Sequence, residues 1–345
     1  MQKRLIYDLD LPDLTEILTS WHEPAYRAIQ IWKGIYQQYW QEPDDFSNLP
    51  KQLRKRLFEH FVFNHLTPSV IQKSSDGETE KTLFHLPDGK RIETVLMHYD
   101  VRRTLCISTQ SGCAMGCVFC ATGQMGYFRN LSSGEIVEQI IHYARYLKTR
   151  GDRVTNVVFM GMGEPFHNYS NVMAAIDTLN HAEGMNLGGR RFTISTVGLV
   201  PGISRFTKED RQVNLAVSLH AANNELRSSM IPINRKYPIE ALIPVLREYT
   251  TVTKRRVTFE WALIQDVNDT LEQAKKLSEL IQGMLAHVNL IPLNPTQGYM
   301  GQATNPDRAN QFRSLLESRG ISCTIRVRRG IDIQAGCGQL ANDDT

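Results

Sequence analysis

The period of the apolar positions changes twice along the chain. Up to about residue 75 they recur every three or four residues, as helices require. Asp10-Leu11-Pro12-Asp13 forms a start signal before Leu14, Ile17 and Leu18. Ala25 to Tyr39 carries Ile29, Ile31, Trp32 and Ile35. Ser47-Asn48-Leu49-Pro50 precedes Lys51 to Phe61, where Leu53, Leu57 and Phe61 lie four apart. A small helical module over 1–75 is expected. Ser74-Ser75-Asp76-Gly77 then breaks the pattern, and the period falls to two. Lys81 to Leu86 and Ile92 to Met97 flank Pro87-Asp88-Gly89-Lys90, which predicts a β-hairpin in a linker over 76–103. Glu93 stands on its second strand beside Ile92; taken alone it reads as an exposed carboxylate.

From 104 to 345 short β-branched runs alternate with longer helical patterns. Strands are predicted at Thr104–Ser108, Asn156–Met160, Arg191–Ser195, Asn214–Leu219, Val257–Leu263, Val288–Pro292 and Cys323–Val327. Helices are predicted near 133–149, 170–182, 200–207, 238–249, 270–285 and 307–319, the first opened by the capping-box pattern Ser132-x-x-Glu135. Strand followed by helix, repeated six times, predicts an α/β fold with parallel strands and right-handed crossovers, a barrel or part-barrel.

Composition narrows the class. The chain has 345 residues, of which 41% are hydrophobic and 22% charged, enough for a large core and two or three domains. No apolar run approaches the roughly 18 residues that span a bilayer. The opening Met1-Gln2-Lys3-Arg4-Leu5-Ile6-Tyr7-Asp8 lacks a signal-peptide core, so a cytoplasmic location without membrane attachment is expected. Thiols stay reduced there, and six cysteines argue for metal or redox chemistry before structural disulfides. Net charge is 39 − 36 = +3, too small to reveal a nucleic-acid partner by itself. Local clusters carry more information: Arg102-Arg103, Arg190-Arg191, Lys254-Arg255-Arg256 and Arg326-Val327-Arg328-Arg329.

The chemistry concentrates in Cys113-Ala114-Met115-Gly116-Cys117-Val118-Phe119-Cys120, a C-x3-C-x2-C spacing just after a predicted strand. A structural zinc site wants four ligands, and here a fourth would have to come from Cys106 or a distant His. Three thiolates on a four-iron cluster leave one iron open. The spacing, with an aromatic before the last cysteine, resembles the signature of radical S-adenosylmethionine (radical SAM) enzymes, which implies a [4Fe-4S] cluster, one per chain, held by Cys113, Cys117 and Cys120. The amino and carboxylate groups of SAM would chelate the open iron.

Further motifs sit at the ends of successive strands: Gly161-Met162-Gly163-Glu164-Pro165, Ile194-Ser195-Thr196-Val197-Gly198, Ser218-Leu219-His220, Met230-Ile231-Pro232-Ile233-Asn234, Asn289 to Pro295, and Asp332 to Leu340. Together they resemble the RlmN/Cfr family of radical SAM RNA adenosine methyltransferases, from about residue 10 to 341. The resemblance implies a partial (β/α)6 radical SAM barrel over 104–345, preceded by an RNA-binding helical accessory domain and the short hairpin linker. It also implies SAM contacts from Gly163, Glu164, Ser195, Ser218, Leu219, His220 and Asn294. In a (β/α) barrel the C-terminal rim carries the active site, which agrees with that placement. Several of the basic clusters are expected to flank that rim, where the phosphates of the implied RNA would pass.

The family chemistry implies two SAM molecules per turnover. The first methylates Cys337. The second furnishes a radical that activates the S-methyl group for addition to the adenine. Glu93 is implied as proton acceptor, and Cys106 as the resolving thiol that leaves a transient disulfide with Cys337. Without the resemblance Cys106 reads as a small buried strand residue, the reading Cys323 keeps. The implied substrates are an adenosine of 23S rRNA beside the peptidyl transferase centre and the tRNA adenosine 3′ of the anticodon. The implied product is 2-methyladenosine, with an electron donor such as flavodoxin or ferredoxin and a monomeric enzyme. Cfr-type methylation at carbon 8 shares the motifs; the run from Ser195 to Pro201 favours carbon 2. A non-catalytic metal-bound RNA-binding protein is the rival of another class. Two departures stand out: Gln334-Ala335-Gly336-Cys337 where the family has Asp-Ala-Ala-Cys, and Arg328 where it has a small hydroxyl residue.

Overall fold

A ten-stranded sheet organises the chain in a computed structural model that describes residues 3–341. Met1, Gln2 and positions 342–345, the outer ends of the expected 1–75 and 104–345 units, lie outside the described residues. The strand order is Ser322–Ile325, Ala286–Pro292, Val257–Leu263, Asn214–Ser218, Phe192–Thr196, Asn156–Phe159, Arg103–Cys106, Arg91–His98, Thr79–His85 and Thr67–Lys73. The first seven in that order run parallel. The last three are antiparallel. Six helices make the parallel crossovers: Ser133–Lys148, Tyr169–Asn180, Val200–Lys208, Ile239–Thr253, Leu271–Leu280 and Pro306–Ser318. Among the described residues the two ends of this sheet do not pair, so the barrel is partial, as the motif order implied.

The helices begin where the sequence placed caps. Glu135 N–H donates to Ser132 Oγ at 3.2 Å while Ser132 N–H donates to Glu135 Oε2 at 2.9 Å, a complete capping box. Thr270 and Asn305 cap two later crossovers through their side chains alone, accepting from Gln273 N–H and Arg308 N–H. A closed (β/α)8 barrel fills its interior with branched aliphatics. Here Thr193, Ser195, Thr258, Glu260, His287 and Asn289 line internal cavities instead, and the interior stays open.

The helical reading of 1–75 runs too far. Helices occupy Leu11–Ser20, Tyr26–Lys33 and Lys51–His60, but Phe61–Val62 pairs with Arg4–Leu5 and Thr67–Lys73 is the outer strand of the large sheet. Val70 and Ile71 supply β-branched side chains, and Pro68 with terminal Lys73 suits an edge. The expected hairpin exists, yet its strands continue the barrel sheet instead of standing apart as a linker. The N-terminal helices share one hydrophobic core with the barrel. Asp8 Oδ1 accepts from Gly134 N–H at 2.7 Å, and Arg145 Nε donates to the Tyr39 carbonyl at 2.9 Å, so both ends of helix Ser133–Lys148 are tied to this module.

Candidate active site

Each motif after a parallel strand opens onto one rim. The cysteine loop is fixed from both sides: Cys113 N–H donates to the Gly126 carbonyl at 2.8 Å, and Val118 N–H to the Met230 carbonyl at 3.1 Å. Cys117 is buried, Cys113 and Cys120 partly so. Burial pushes all three thiols up, Cys113 to about 12, and Cys120 and Cys113 add to the rise at Cys117 because the three lie close together. Three crowded thiols gain by sharing a cationic body that stabilises their thiolates. Backbone N–H groups already favour that form: Met115 donates to Cys113, and Gly123 and Thr122 to Cys120. Soft sulfur ligands with amide donors suit an iron–sulfur cluster. Among the described residues no three His, Cys, Asp or Glu converge on a single ion. A body of several irons does not need that convergence.

A cavity of about 170 Å³ lies between this loop and the strand ends. Gly163, Glu164, Ser195, Ser218, His220 and Asn294 line it, all expected there. Leu219 does not: it is buried, and it works through its backbone, with N–H donating to the Glu260 carbonyl at 3.1 Å. At Gly163, φ is +100°, and an added Cβ would lie 2.6 Å from Gln110 Cβ, so no other residue fits that turn. Glu164 Oε1 accepts from Phe166 N–H at 3.0 Å and Oε2 from Val197 N–H at 2.9 Å. Burial lifts its carboxyl to about 7, and those donors pull it back toward the charged form. His220 holds a left-handed backbone at φ 58°, and its Nδ1 accepts from Ala262 N–H at 2.8 Å. Burial lowers its ring to about 3, which leaves it neutral with the proton on Nε2. Asn294 Oδ1 is a buried acceptor with no partner, beside a cavity that an ammonium or a ribose hydroxyl could enter. The residues present therefore fit a sulfonium cofactor with an amino-acid end.

The C-terminal segment closes this site. Ala121 N–H donates to the Gly338 carbonyl at 2.8 Å and Thr122 Oγ1 to the Leu340 carbonyl at 2.7 Å, joining it to the cysteine loop. Asn294 Nδ2 donates to the Cys337 carbonyl at 3.1 Å. Cys337 lines the same cavity as Cys117 and Cys120. It is solvent-accessible through the cavity, yet crowded walls push its thiol up while Arg326 pulls it down. Cys106 ends its strand opposite Val95 and Val158. Burial raises its thiol, and Cys337 is near enough to add to the rise. All six cysteines are free. Glu93 is fully buried, which overturns its exposed-strand reading. Lys81 Nζ lies 2.8 Å from Oε1, and Oε2 accepts from Ala341 N–H at 2.8 Å. Glu93 does not line the cofactor cavity; it grips the chain four residues past Cys337. The fold thus brings Glu93, Cys106 and Cys337 to one segment.

Two features escaped sequence reasoning. Arg227 is completely buried and donates to the Val197 carbonyl (2.6 Å), the Leu219 carbonyl (3.1 Å) and Asn234 Oδ1 (2.7 Å). An arginine in Asn-Glu-Leu-Arg-Ser-Ser-Met looks like helix surface, and no local signal marks it. The second is the position of the basic clusters. Arg102, Arg190-Arg191 and Lys254-Arg255-Arg256 precede strands Arg103–Cys106, Phe192–Thr196 and Val257–Leu263, so they lie at the N-terminal end of the barrel, opposite the rim they were expected to flank. Only Arg326-Val327-Arg328-Arg329 follows a strand.

Comparison with known proteins agrees with this geometry. The radical SAM superfamily pattern matches residues 107–278, and the ribosomal RNA large subunit methyltransferase N-terminal domain matches residues 5–63. The dual-specificity RNA methyltransferase RlmN 1 of Myxococcus xanthus is 48% identical over 335 residues, covering 97% of this chain and 93% of that protein. A Chloroflexus aurantiacus protein named as a probable dual-specificity RNA methyltransferase RlmN is also 48% identical, covering 99% and 93%. The crystal structure of a radical SAM methyltransferase from Sphaerobacter thermophilus superposes with a TM-score of 0.96 at 50% identity, covering 99% of this chain and 100% of that one.

Proposed function

This chain belongs to the RlmN family of radical SAM methyltransferases, and from that premise we propose that it converts adenosine to 2-methyladenosine in 23S rRNA and in tRNA. The observation that carries the proposal is the shared cavity, where Cys337 meets the cysteine loop and the candidate SAM contacts. Relatives described as dual-specificity RNA methyltransferases support two RNA classes.

Cys113, Cys117 and Cys120 hold the [4Fe-4S] cluster in this reading, and Gly163, Glu164, Ser195, Ser218, His220 and Asn294 hold SAM. When bound, cluster and SAM supply methyl donation and a 5′-deoxyadenosyl radical. Cys337 Sγ accepts the first methyl group and carries it to the base. Carbon 2 of adenine lacks a nucleophilic lone pair, so a polar attack on SAM is closed to it. For the carrier to join the RNA, the S-methyl carbon would first lose a hydrogen atom to the 5′-deoxyadenosyl radical, and the adduct would return its unpaired electron to the bound cluster. Glu93 accepts the carbon-2 proton, which requires its carboxylate to exchange the Ala341 N–H or Lys81 for the substrate. Cys106, as the thiolate, attacks Cys337 Sγ and breaks its bond to the methylene carbon, which takes up a proton to become the methyl group of the released base; the disulfide left behind is reduced before the next cycle. The N-terminal helices help to hold structured RNA. The reaction belongs in the reducing cytoplasm, with a monomeric enzyme served by a flavodoxin- or ferredoxin-type donor.

The test is nucleoside analysis of 23S rRNA and tRNA after anaerobic reaction of the reconstituted protein. The expected result is 2-methyladenosine from both. Methyl groups at carbon 8 alone assign the Cfr-type reaction. A colourless protein with stoichiometric zinc and no methylated nucleoside would defeat the enzyme reading.

A further inference from the structure

The reaction uses one end of the barrel, but the other end is open too. A second cavity of about 570 Å³ occupies the N-terminal half of the barrel, walled by Thr193, Asn214, Thr258 and His287 from successive strands. Arg102, Lys254, Arg255, Arg256 and Arg326 also line it, with Glu260 as the sole carboxylate. Among the described residues Arg102, Lys254, Arg255 and Arg256 have no carboxylate partner in an ion pair, whereas Arg326 is near enough to Glu260 to favour its charged form. Arg255 donates only to neutral groups in this region, Gln212 Oε1 at 3.2 Å and Asn214 Oδ1 at 2.8 Å, and Arg102 stacks on the Tyr99 ring at 4.9 Å.

Several surface arginines elsewhere are matched, while others such as Arg150, Arg190 and Arg235 have no carboxylate partner among the described residues; what sets this group apart is that its members surround one opening. Arg129 pairs with Glu135, Arg211 with Asp177, Arg308 with Asp266 and Arg103 with Asp152. Exposed pairs are worth little individually, so this contrast concerns placement and not stability. Like charges left unmatched around one opening repel each other and raise the local concentration of anions. Such an opening suits the phosphodiesters of a nucleic acid, whose contacts are electrostatic and carry no sequence information.

The opening leads inward. Met160, Glu260 and Arg326 line both this cavity and the cofactor cavity that holds Cys337. An enzyme acting on a base edge must take that base out of its stack and into a pocket, while the backbone stays outside. We propose that the N-terminal mouth of the barrel is the port for the target nucleotide, with Arg102, Lys254 and Arg256 holding the flanking phosphates and the base passing inward between Met160, Glu260 and Arg326 toward Cys337. This rests on the RNA substrate argued above. It assigns the RNA to the face opposite the one where the basic clusters were expected.

The test uses the full chain with Arg102→Gln, Lys254→Gln and Arg256→Gln combined. A control removes three exposed cations away from both cavities: Lys208→Gln, Arg235→Gln and Lys275→Gln. Binding to a radiolabelled fragment of 23S rRNA is measured by filter retention across a salt series. RNA-independent SAM cleavage under dithionite reports on an intact cofactor site. The port triple should bind at least about tenfold more weakly. Its slope of log affinity against log salt should fall by about two, as three lost single-strand phosphate contacts require. The control should stay within about twofold, and SAM cleavage should be unchanged in both. Wild-type affinity in the port triple, or an equal loss in the control, overturns the port while leaving the methyltransferase reading standing. Wild-type protein that neither binds nor methylates the RNA overturns both. Should the port triple lose its fold, crosslinking of 4-thiouridine RNA to the wild type decides. Crosslinks to the peptide bearing Lys254–Arg256 support the port, and crosslinks confined to the N-terminal helices overturn it.

Discussion

Replacing Arg227 by Met tests the architecture of the cofactor rim. The guanidinium ties the Val197 and Leu219 carbonyls, at the ends of two neighbouring strands, to Asn234 Oδ1 in the loop beyond helix Asn224–Met230. Methionine approximates the volume and removes the donor from the Val197 carbonyl and Asn234 Oδ1, while the Leu219 carbonyl keeps the Ala221 N–H at 2.8 Å. Each orphaned acceptor costs about 1–3 kcal/mol. Removing a buried charge returns part of that, since burial already lowers the guanidinium to about 10. A net loss of roughly 2–4 kcal/mol is expected from the two orphaned acceptors, a sizeable share of the about 5–15 kcal/mol typical of a folded domain. With an unfolding entropy of about 2.1 cal/mol/K per residue, that corresponds to a fall of roughly 3–6 °C in Tm for a chain of this length. The assay is thermal unfolding of the apoprotein, with SAM affinity measured by calorimetry after cluster reconstitution. Because Val197 and Ser218 border the cofactor cavity, affinity should fall with Tm. A Tm within about 1 °C of wild type, with SAM binding unchanged, would refute the claim that this arginine holds the rim together.

Other consequences can be checked separately. Gly336→Ala places a Cβ 2.6 Å from Asn294 Nδ2 and 2.7 Å from Gln339 Oε1, so the Asn294–Cys337 hydrogen bond should break. The loss of that one bond predicts SAM binding weaker by roughly two- to tenfold, with stability nearly unchanged; calorimetry and melting curves read the two effects. Cys106→Ala should let a covalent RNA–protein species accumulate, visible on denaturing gels, whereas Cys337→Ala should abolish both that species and protein methylation. His220 has a folded-state pKa depressed from 6.5 to about 3, so protonation favours the unfolded chain. Its contribution is present above pH 6.5 and is lost as pH falls toward 3, on the order of 3 kcal/mol between pH 6.5 and 4.5. In His220→Asn, denaturant titrations should show a flatter acid limb; an identical limb would remove His220 from that role.

The repeating strand–helix period placed every parallel strand within a few residues, because β-branched runs and capped amphipathic helices carry local signals. Thr67–Lys73 was missed because an exposed edge strand has little apolar alternation to reveal it. Glu93 was legible only as a polar residue on a strand. Its burial depends on Lys81 and the Ala341 backbone, 248 residues away in the latter case. Arg227 had no local mark, since a buried arginine is defined by carbonyls that other elements bring to it.

By itself the sequence determined the donor set: three closely spaced thiols, glycines at the turn facing them, and two further cysteines, Cys106 just before that cluster and Cys337 near the other end of the chain. Those are chemical identities, and each is carried by a residue and its near neighbours. Tertiary structure alone decided that Cys337 enters the cavity of the cysteine loop, that Cys106 lies within electrostatic reach of it, and that Arg102, Lys254, Arg255 and Arg256 line one cavity at the opposite mouth of the barrel. These are juxtapositions across long stretches of chain. They follow from parallel strands that all point one way, so the residue after a strand and the residue before it end up on opposite faces, however close they stand in sequence.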